Sequence, residues 1–582
     1  MTDIKILHTL INEVAERQGD HAALIYYPQG AHEPVRFSYR QYIDGVNRIV
    51  NWLRAIGIAE TDAVGYLMPD SPTLAMAACA IQSAAVALEL DIWARPDQVL
   101  SVIEEAQPRL IICASDGVNP ALLDTYRAIE GACAGAIKLV FIDAAMLAAT
   151  SLSFACDGLC PADQSAVLAQ PLNQDVDRDV FLRLTGGTTG RPKVVPQSAK
   201  KLLASILIVP PFQGITPDSV LVMAFTTFYI YYMPSGATFL IRGIDVLANL
   251  IESRGENLFI RHRITDISLT PQFIPVLAGR ADFIAAARDH AISVAATGGR
   301  VLPGHYELLK GAGVERVFNF YGATETGLVG LQEMKCIEDV GRFERIRDGH
   351  EIKIVDVDGS QLPDGEIGEL AIRGEDVYVG RFLKGGRTGD GWHLMGDMAK
   401  IDPQGRLVVM GRDFRGLRVS NTTNFLDGEF IESVLTQSGA IRFASVIVIE
   451  AVAGGVPLIG IFVSPADGVA ITETAVVELF RDATSRYEIY AHVKVFVLGA
   501  LPMTPRGKVD RMRLTRAAIE YAYAEQLQVA FPEQVFGVMA GDDGDRMFSV
   551  AIGRADKMPI EPQLGERLID FFRVSPYPVR IS

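Results

Sequence analysis

The sequence has little of what would send it to a membrane, an oxidising compartment or nucleic acid. Six cysteines are scattered through 582 residues, and the one close pair, Cys156 and Cys160, has no Cys/His cluster after it. That usage reads as buried free thiols rather than a disulfide framework or a zinc site. There is no run of eighteen apolar residues, which removes a membrane-spanning helix. The first twenty residues mix charge with helical periodicity and lack the apolar core of a signal peptide, so the expected location is cytoplasmic. Basic residues number 54 against 70 acidic ones, a net charge of −16 with no basic block. An extended nucleic-acid surface is thereby excluded, while a local site for a small anion is not. Internal repeats, low-complexity linkers and a Walker loop are also missing.

What is present is globular. Hydrophobic residues make up 49% and charged residues 21%, enough apolar material for a large core spread over two to four domains. The first 150 residues alternate helix-like and strand-like segments. "SYRQYIDGVNRIVNWLRAIG" has helical spacing and ends at Gly57, "AVGYLM" reads as a strand, and "SPTLAMAACAIQSAA" reads as a helix capped by Ser71. "PRLIICA", "ITDISLT", "ISVAATGG" and "RVFNFYG" continue the pattern as short β-rich runs. Such alternation predicts α/β layers around largely parallel sheet. From about 350 the chain turns β-rich, with Asp-Gly turns at 358–359 and 364–365 that predict hairpins. A smaller mixed unit follows, then a tail with the helix-like "RAAIEYAYAEQL", a turn at "AGDDGDR" and an irregular, Pro-containing end.

Four stretches carry chemistry. "LTGGTTGRPK" (184–193) combines close-packed glycines with Thr185, Thr188, Thr189 and Lys193. Glycine backbone N–H groups, hydroxyls and an ammonium suit a phosphate, although by itself the stretch is equally a surface turn with a basic end. "FYGATETG" (320–327) sets an aromatic ring, a hydroxyl and a carboxylate within five residues, at Tyr321, Thr324 and Glu325. "MGDMAKIDPQGRLVVMGR" (395–412) contains Asp397 and, fifteen residues later, Arg412. "LPMTPRGKVDR" (501–511) places Lys508 in a Gly-containing loop. Taken singly, each has a bland reading as core, turn or solvated charge; their order and separation are what make coincidence a poor explanation.

Together these stretches resemble the adenylate-forming superfamily of acyl-CoA synthetases, aryl-acid ligases, peptide-synthetase adenylation domains and luciferases. The likeness covers about residues 20–515, and the flank "TGGTTGRPKVVPQS" is most similar to stand-alone aryl-acid activating enzymes. The resemblance implies a large N-terminal domain (1–411) of layered α/β subdomains plus a β-rich subdomain. It also implies a small mobile α+β domain (412–515), leaving an extension (516–582) outside the family pattern. ATP and a carboxylic acid would give an acyl-adenylate and pyrophosphate, and the acyl group would pass to a thiol of CoA or of a carrier protein's phosphopantetheine.

In that frame Thr185, Thr188, Thr189 and Lys193 would hold the β- and γ-phosphates. Thr324 would bond the α-phosphate and Glu325 would hold Mg²⁺. Tyr321 would face adenine beside Gly298 and Gly299. Asp397 and Arg412 would take the ribose, and Lys508 would reach the carboxylate and α-phosphate on domain closure. Phe228, Gly299 and Gly322 would border the acid.

The sequence departs from the pattern in three places. Aligned through Pro234, Phe228 occupies the position where amino-acid activating relatives carry an Asp, and a phenyl ring cannot neutralise an ammonium. An aromatic or apolar acid is expected instead. Ser198-Ala199 replaces Thr-His after the phosphate loop. Past Arg412, Phe414 stands at the hinge position, Asn421 replaces a glycine, and the stretch to Glu432 is about two residues longer. Bulk in place of that glycine would narrow a channel for a pantetheine arm. An amine or other non-thiol acceptor is therefore the second reading, and a degenerate nucleotide-binding member without turnover the third.

Overall fold

The computed structural model describes residues 5–581 apart from 29–30, 93, 115–119, 134–136, 143–163, 186–192, 224–225, 243–256, 357, 376, 379–390, 413–427, 450–456, 467, 486–488, 490, 504–508, 544–545, 556–559, 574 and 576–578. Two largely parallel sheets form the main body. The nine-stranded sheet runs, in spatial order, through Arg345–Ile346, Gly327–Met334, Arg316–Ala323, Ser293–Thr297, Asp266–Leu269, Val220–Met223, Thr238–Arg242, Ala22–Tyr27 and Val35–Ser38. Its six central strands are mutually parallel, and the edges are antiparallel. The six-stranded sheet has the order Lys138–Ile142, Leu110–Ala114, Ala63–Leu67, Val86–Glu89, Asp179–Thr185 and Lys193–Ser198, with only the last pair antiparallel.

Helices between the sheets tie them into one core, and local sequence explains where they start and stop. Tyr39–Ala55 opens with a capping box: the Ser38 hydroxyl accepts from the Gln41 N–H while the Gln41 side chain accepts from the Ser38 N–H. The chain leaves this helix through Gly57 at φ 80°. Pro72–Ala84 is capped by Ser71, and every residue in it is buried, as its nearly uniform apolar sequence requires. Where the two helices cross, a Cβ at Gly45 would fall 2.5 Å from Met76 Sδ, so glycine is what allows the close approach.

A five-stranded antiparallel sheet follows, in the order Arg342–Phe343, Leu407–Arg412, His393–Ile401, Gly368–Gly374 and His350–Val355. It encloses its own core of Phe343, Leu370, Ile372 and Leu407. Both Asp-Gly turns lie between the paired strands His350–Val355 and Gly368–Gly374.

The C-terminal part is built on the strands Ile441–Ile449, Leu458–Pro465 and His492–Val497. Alternating side chains send Val446, Ile459 and Ile461 to one face, against Ile431, Leu435 and Phe480. Ile447, Leu458 and Phe462 go to the other face, against the helix Arg511–Ala530. The break expected at 515–516 falls inside this continuous helix. The tail is also more ordered than its prolines suggest. Phe536–Asp543 and Arg546–Arg554 form a hairpin, Pro562–Phe571 is a helix with Pro at its start, and Val579–Ile581 adds a parallel strand. Proline at the first helical turn loses no hydrogen bond. Val550, Ile552, Leu568 and Phe572 share a core with Tyr523 and Leu527 of the long helix, so the extension packs on the small unit.

Candidate active site

The parallel strands of the nine-stranded sheet end on one side, and four of the candidate residues lie there. Thr297 pairs with Phe320, which brings Gly298 and Gly299 beside Tyr321 and Gly322 at the carboxyl ends of adjacent parallel strands. Crevices outside such ends are where open α/β sheets bind ligands. Gly298 takes φ 74°, and both glycines are exposed, so backbone rather than side chain is presented there. The backbone of Phe228 lies in the short helix Thr226–Tyr231 after the strand Val220–Met223, which is separated from Ser293–Thr297 by the strand Asp266–Leu269; its side chain lies outside the described residues. Three tyrosines beside it, Tyr229, Tyr231 and Tyr232, are buried in the core.

Tyr321 is joined to the β-rich sheet by its hydroxyl, which donates to Asp397 Oδ2 at 2.6 Å. Asp397 is 7% exposed and directly opposes Arg412 across an antiparallel pair. Positive-φ glycines flank that pair, Gly396 at 71° and Gly411 at 107°. Arg300, following the two glycines, donates from Nη1 to the Met410 carbonyl at 2.6 Å. The ring, the carboxylate and the glycine backbone are thus fixed to one another although they come from two sheets.

Thr324 and Glu325 occupy the tip of a hairpin formed by Arg316–Ala323 and Gly327–Met334. The Ala323 N–H donates to Thr326 Oγ1 at 3.1 Å and closes the turn. Behind it the Thr324 carbonyl accepts from Gln197 Nε2 at 2.8 Å and Lys201 Nζ at 3.1 Å. The Glu325 carbonyl accepts from Lys201 Nζ at 2.7 Å and from the Tyr378 N–H at 2.8 Å. His350 Nε2 donates to the Thr326 carbonyl at 3.1 Å. None of Gln197, Lys201, His350 and Arg300 was among the expected site residues. Gln197, Lys201 and His350 hold the carbonyls of a turn distant in sequence, and Arg300 holds the Met410 carbonyl; the local hint for the first two is a polar Gln-Ser-Ala-Lys-Lys run entering an otherwise apolar helix.

The phosphate-loop expectation falls at a comparable hairpin. Thr185 pairs with Lys193 in the antiparallel register, so the loop between them is closed at its base. Residues 186–192, with Thr188 and Thr189, lie outside the described residues, as do the side chains of Thr185, Lys193 and Arg412. Lys508 and the segment 413–427 lie outside them too. The Lys508 loop is bounded by the Met503–Val509 bridge, and Asp510 beyond it caps the long helix by accepting from the Arg513 N–H. The two parts of the chain also meet near the site. A Cβ at Gly304 would overlap the Gln437 side chain. The Arg95 guanidinium is held above its ordinary pKa, first by its hydrogen bonds to Asp97 and also by the charge of Asp510.

A nucleoside fits this donor set. An aromatic face, exposed glycine backbone and a buried carboxylate offer stacking, close approach and an acceptor for two hydroxyls. Among the described residues no group of three or more His, Cys, Asp or Glu could hold a metal by protein ligands alone. Nor is any helix of the described residues long and apolar enough to cross a membrane.

This fold and site define a nucleotide-dependent enzyme of the adenylate-forming class. The chain belongs to the AMP-binding enzyme family, whose match covers residues 11–380. It is 27% identical over 499 residues to the 3-hydroxybenzoate–CoA/4-hydroxybenzoate–CoA ligase of Thauera aromatica, covering 82% of this chain and 91% of that one. It is 25% identical over 535 residues to the 2-hydroxy-7-methoxy-5-methyl-1-naphthoate–CoA ligase of Streptomyces carzinostaticus, covering 83% and 89%. Among solved structures, an anthranilate CoA ligase in complex with anthranoyl-AMP superimposes with a TM-score of 0.72 at 18% identity, covering 89% of this chain and 98% of that one.

Asp397 provides a direct test of the nucleoside site. Asp397→Asn keeps the shape but weakens the acceptor that Tyr321 meets and that the hydroxyls of a bound ribose would meet. A hydrogen bond to a charged group contributes about 1.5–3 kcal/mol, so the KM for ATP is expected to rise about 10- to 100-fold with the KM for the acid unchanged. Steady-state kinetics with each substrate varied in turn checks this.

Proposed function

We propose that this chain uses ATP to activate an aromatic carboxylic acid and then passes the aroyl group to the thiol of CoA. The observation that carries this is the Tyr321–Asp397 hydrogen bond of 2.6 Å beside Gly298 and Gly299, which assembles an adenosine site at the strand ends. Adenine lies against Tyr321 and the glycine backbone, and Asp397 with Arg412 accepts and orients the ribose. Thr185, Thr188, Thr189 and Lys193 steady the β- and γ-phosphates as they leave. Thr324 donates to the α-phosphate, and Glu325 provides the carboxylate for Mg²⁺. Bound there, Mg²⁺ supplies charge neutralisation between phosphate oxygens and an attacking carboxylate. Lys508 approaches from the small domain and stabilises charge on the carboxylate and α-phosphate oxygens. Adenylation breaks the α–β phosphoanhydride bond and forms the acyl–phosphate bond; thiolate attack then forms the thioester and releases AMP.

Phe228, Gly299 and Gly322 border the acid, and the hydroxyaryl and naphthoyl substrates named for the two relatives indicate the class. Acid-dependent pyrophosphate exchange over aryl, fatty and α-amino acids tests the reading. An unpaired buried ammonium costs several kcal/mol, so aryl acids are expected to exceed amino acids by about a hundredfold or more. Exchange that is best with an amino acid overturns the substrate class. Exchange with no acid at all supports a member that binds nucleotide without turnover. The second reading, transfer to an amine or other non-thiol nucleophile, rests on Phe414 and Asn421 in the altered segment. Product analysis with CoA, a carrier protein and amines in parallel separates these acceptors.

A further inference from the structure

We propose that Lys201 is a positioning residue for adenylation: a buried cation that fixes the Thr324–Glu325 tip and ties it to the strand Lys193–Ser198. The proposal rests on the assignment of Thr324 and Glu325 to α-phosphate and Mg²⁺. Lys201 is 4% exposed, an unusual place for an ammonium unless polar groups meet it. Its Nζ donates to two successive carbonyls, Glu325 at 2.7 Å and Thr324 at 3.1 Å. Its stem packs along the same turn, since a Cβ at Gly327 would lie 3.4 Å from Lys201 Cε.

The consequence is geometric. When the carbonyls of consecutive peptides are drawn to one side, the peptide planes are set and the Thr324 and Glu325 side chains are aimed by the backbone. The lysine also belongs to the element that follows the phosphate loop. Lys193–Ser198 runs straight into the helix Ala199–Gln213, whose Ser198 cap accepts from the Lys201 N–H at 3.3 Å. Gln197 reaches the same Thr324 carbonyl from that strand. The strand that begins at Lys193 and the helix that follows it thus both hold the turn, through Gln197 and Lys201. The ammonium beneath the tip adds positive potential where phosphate charge is to be held. Arg347 lies on the same side, its Nη1 3.6 Å from a Cβ built at Gly327.

The test compares Lys201→Met and Lys201→Gln with the parent and with Glu325→Gln. For Lys201→Met the expected result is a 10- to 100-fold fall in kcat for pyrophosphate exchange. The half-saturating Mg²⁺ concentration should rise at least fivefold, with the KM for the acid within twofold. Binding of a fluorescent ATP analogue should lose most of its strengthening by Mg²⁺ while Mg²⁺-free binding changes little. Lys201→Gln, able to donate to one carbonyl, should fall between. A folded Lys201 variant with parental kcat and Mg²⁺ dependence overturns the proposal, even if it melts earlier, because only packing would then be lost. If neither variant folds, Lys201 is a stability element and the proposal fails. Parental behaviour of Glu325→Gln would instead remove the assignment of the turn itself.

Discussion

Lys508→Ala is expected to lower acid-dependent pyrophosphate exchange by a factor of about 10²–10³, the loss typical when one preorganised donor to developing charge is removed. The physical need is plain. A carboxylate attacking a triphosphate brings like charges together, and a cation that arrives with domain closure acts mainly in the transition state. Binding of ATP and of the acid should therefore change by no more than about threefold, since only differential binding accelerates the step. The local architecture suits such a part. The loop 504–508 springs from the Met503–Val509 bridge, and the Asp510 N–H donates to the Pro502 carbonyl at 2.7 Å. The rigid helix Arg511–Ala530 stands behind it. The charge of Asp510 adds to the Asp97 hydrogen bonds in raising the Arg95 guanidinium, which stands at the start of the helix Pro96–Ala106. Exchange kinetics together with calorimetric ATP binding check the prediction; unchanged exchange would remove Lys508 from the chemistry.

Much of the fold was legible because local signals and packing agree. Ser38, Ser71 and Gly57 mark helix ends by capping chemistry that needs no tertiary information. The short β-rich runs became strands of the two large sheets. The tail's Pro-containing end reads as irregular in sequence, whereas Pro562 sits at a helix start and the apolar residues around it meet the helix Arg511–Ala530. Residue type and order pointed to Tyr321, Glu325 and Asp397, of which Tyr321 and Asp397 are joined by a hydrogen bond and Glu325 lies at the hairpin tip. Lys201, Gln197 and His350 could not be found that way, since their partners are carbonyl oxygens, which every residue has and no sequence motif records. What those three donors hold, however, is the turn that the motif names.

That turn also makes Gly322 a position where one methyl group has a large effect. A Cβ built there lies 2.1 Å from the Gly327 carbonyl oxygen, 3.0 Å from its carbon and 3.1 Å from Leu328 Cα. All three are backbone atoms, so no side chain can rotate away. The pairing already shifts register between Tyr321 and Gly322, which leaves little slack, and the donors behind the tip resist its displacement. Gly322→Ala must therefore push Thr324 and Glu325 by about an ångström, and misplacement on that scale can cost about a hundredfold. The expected result is a kcat for exchange about 100-fold lower, while overpacking strain of about 1–3 kcal/mol lowers the melting temperature by only a few degrees. Gly131→Ala is the matched control. Gly131 lies in the helix Pro120–Ala132, with nothing within 4 Å of an added Cβ, and alanine there should leave turnover unchanged and slightly raise stability. Parental turnover in Gly322→Ala would mean that the tip relaxes without consequence and that the turn does not place the reacting groups. A 100-fold loss without unfolding is the result expected if its geometry is what the surrounding donors are there to keep.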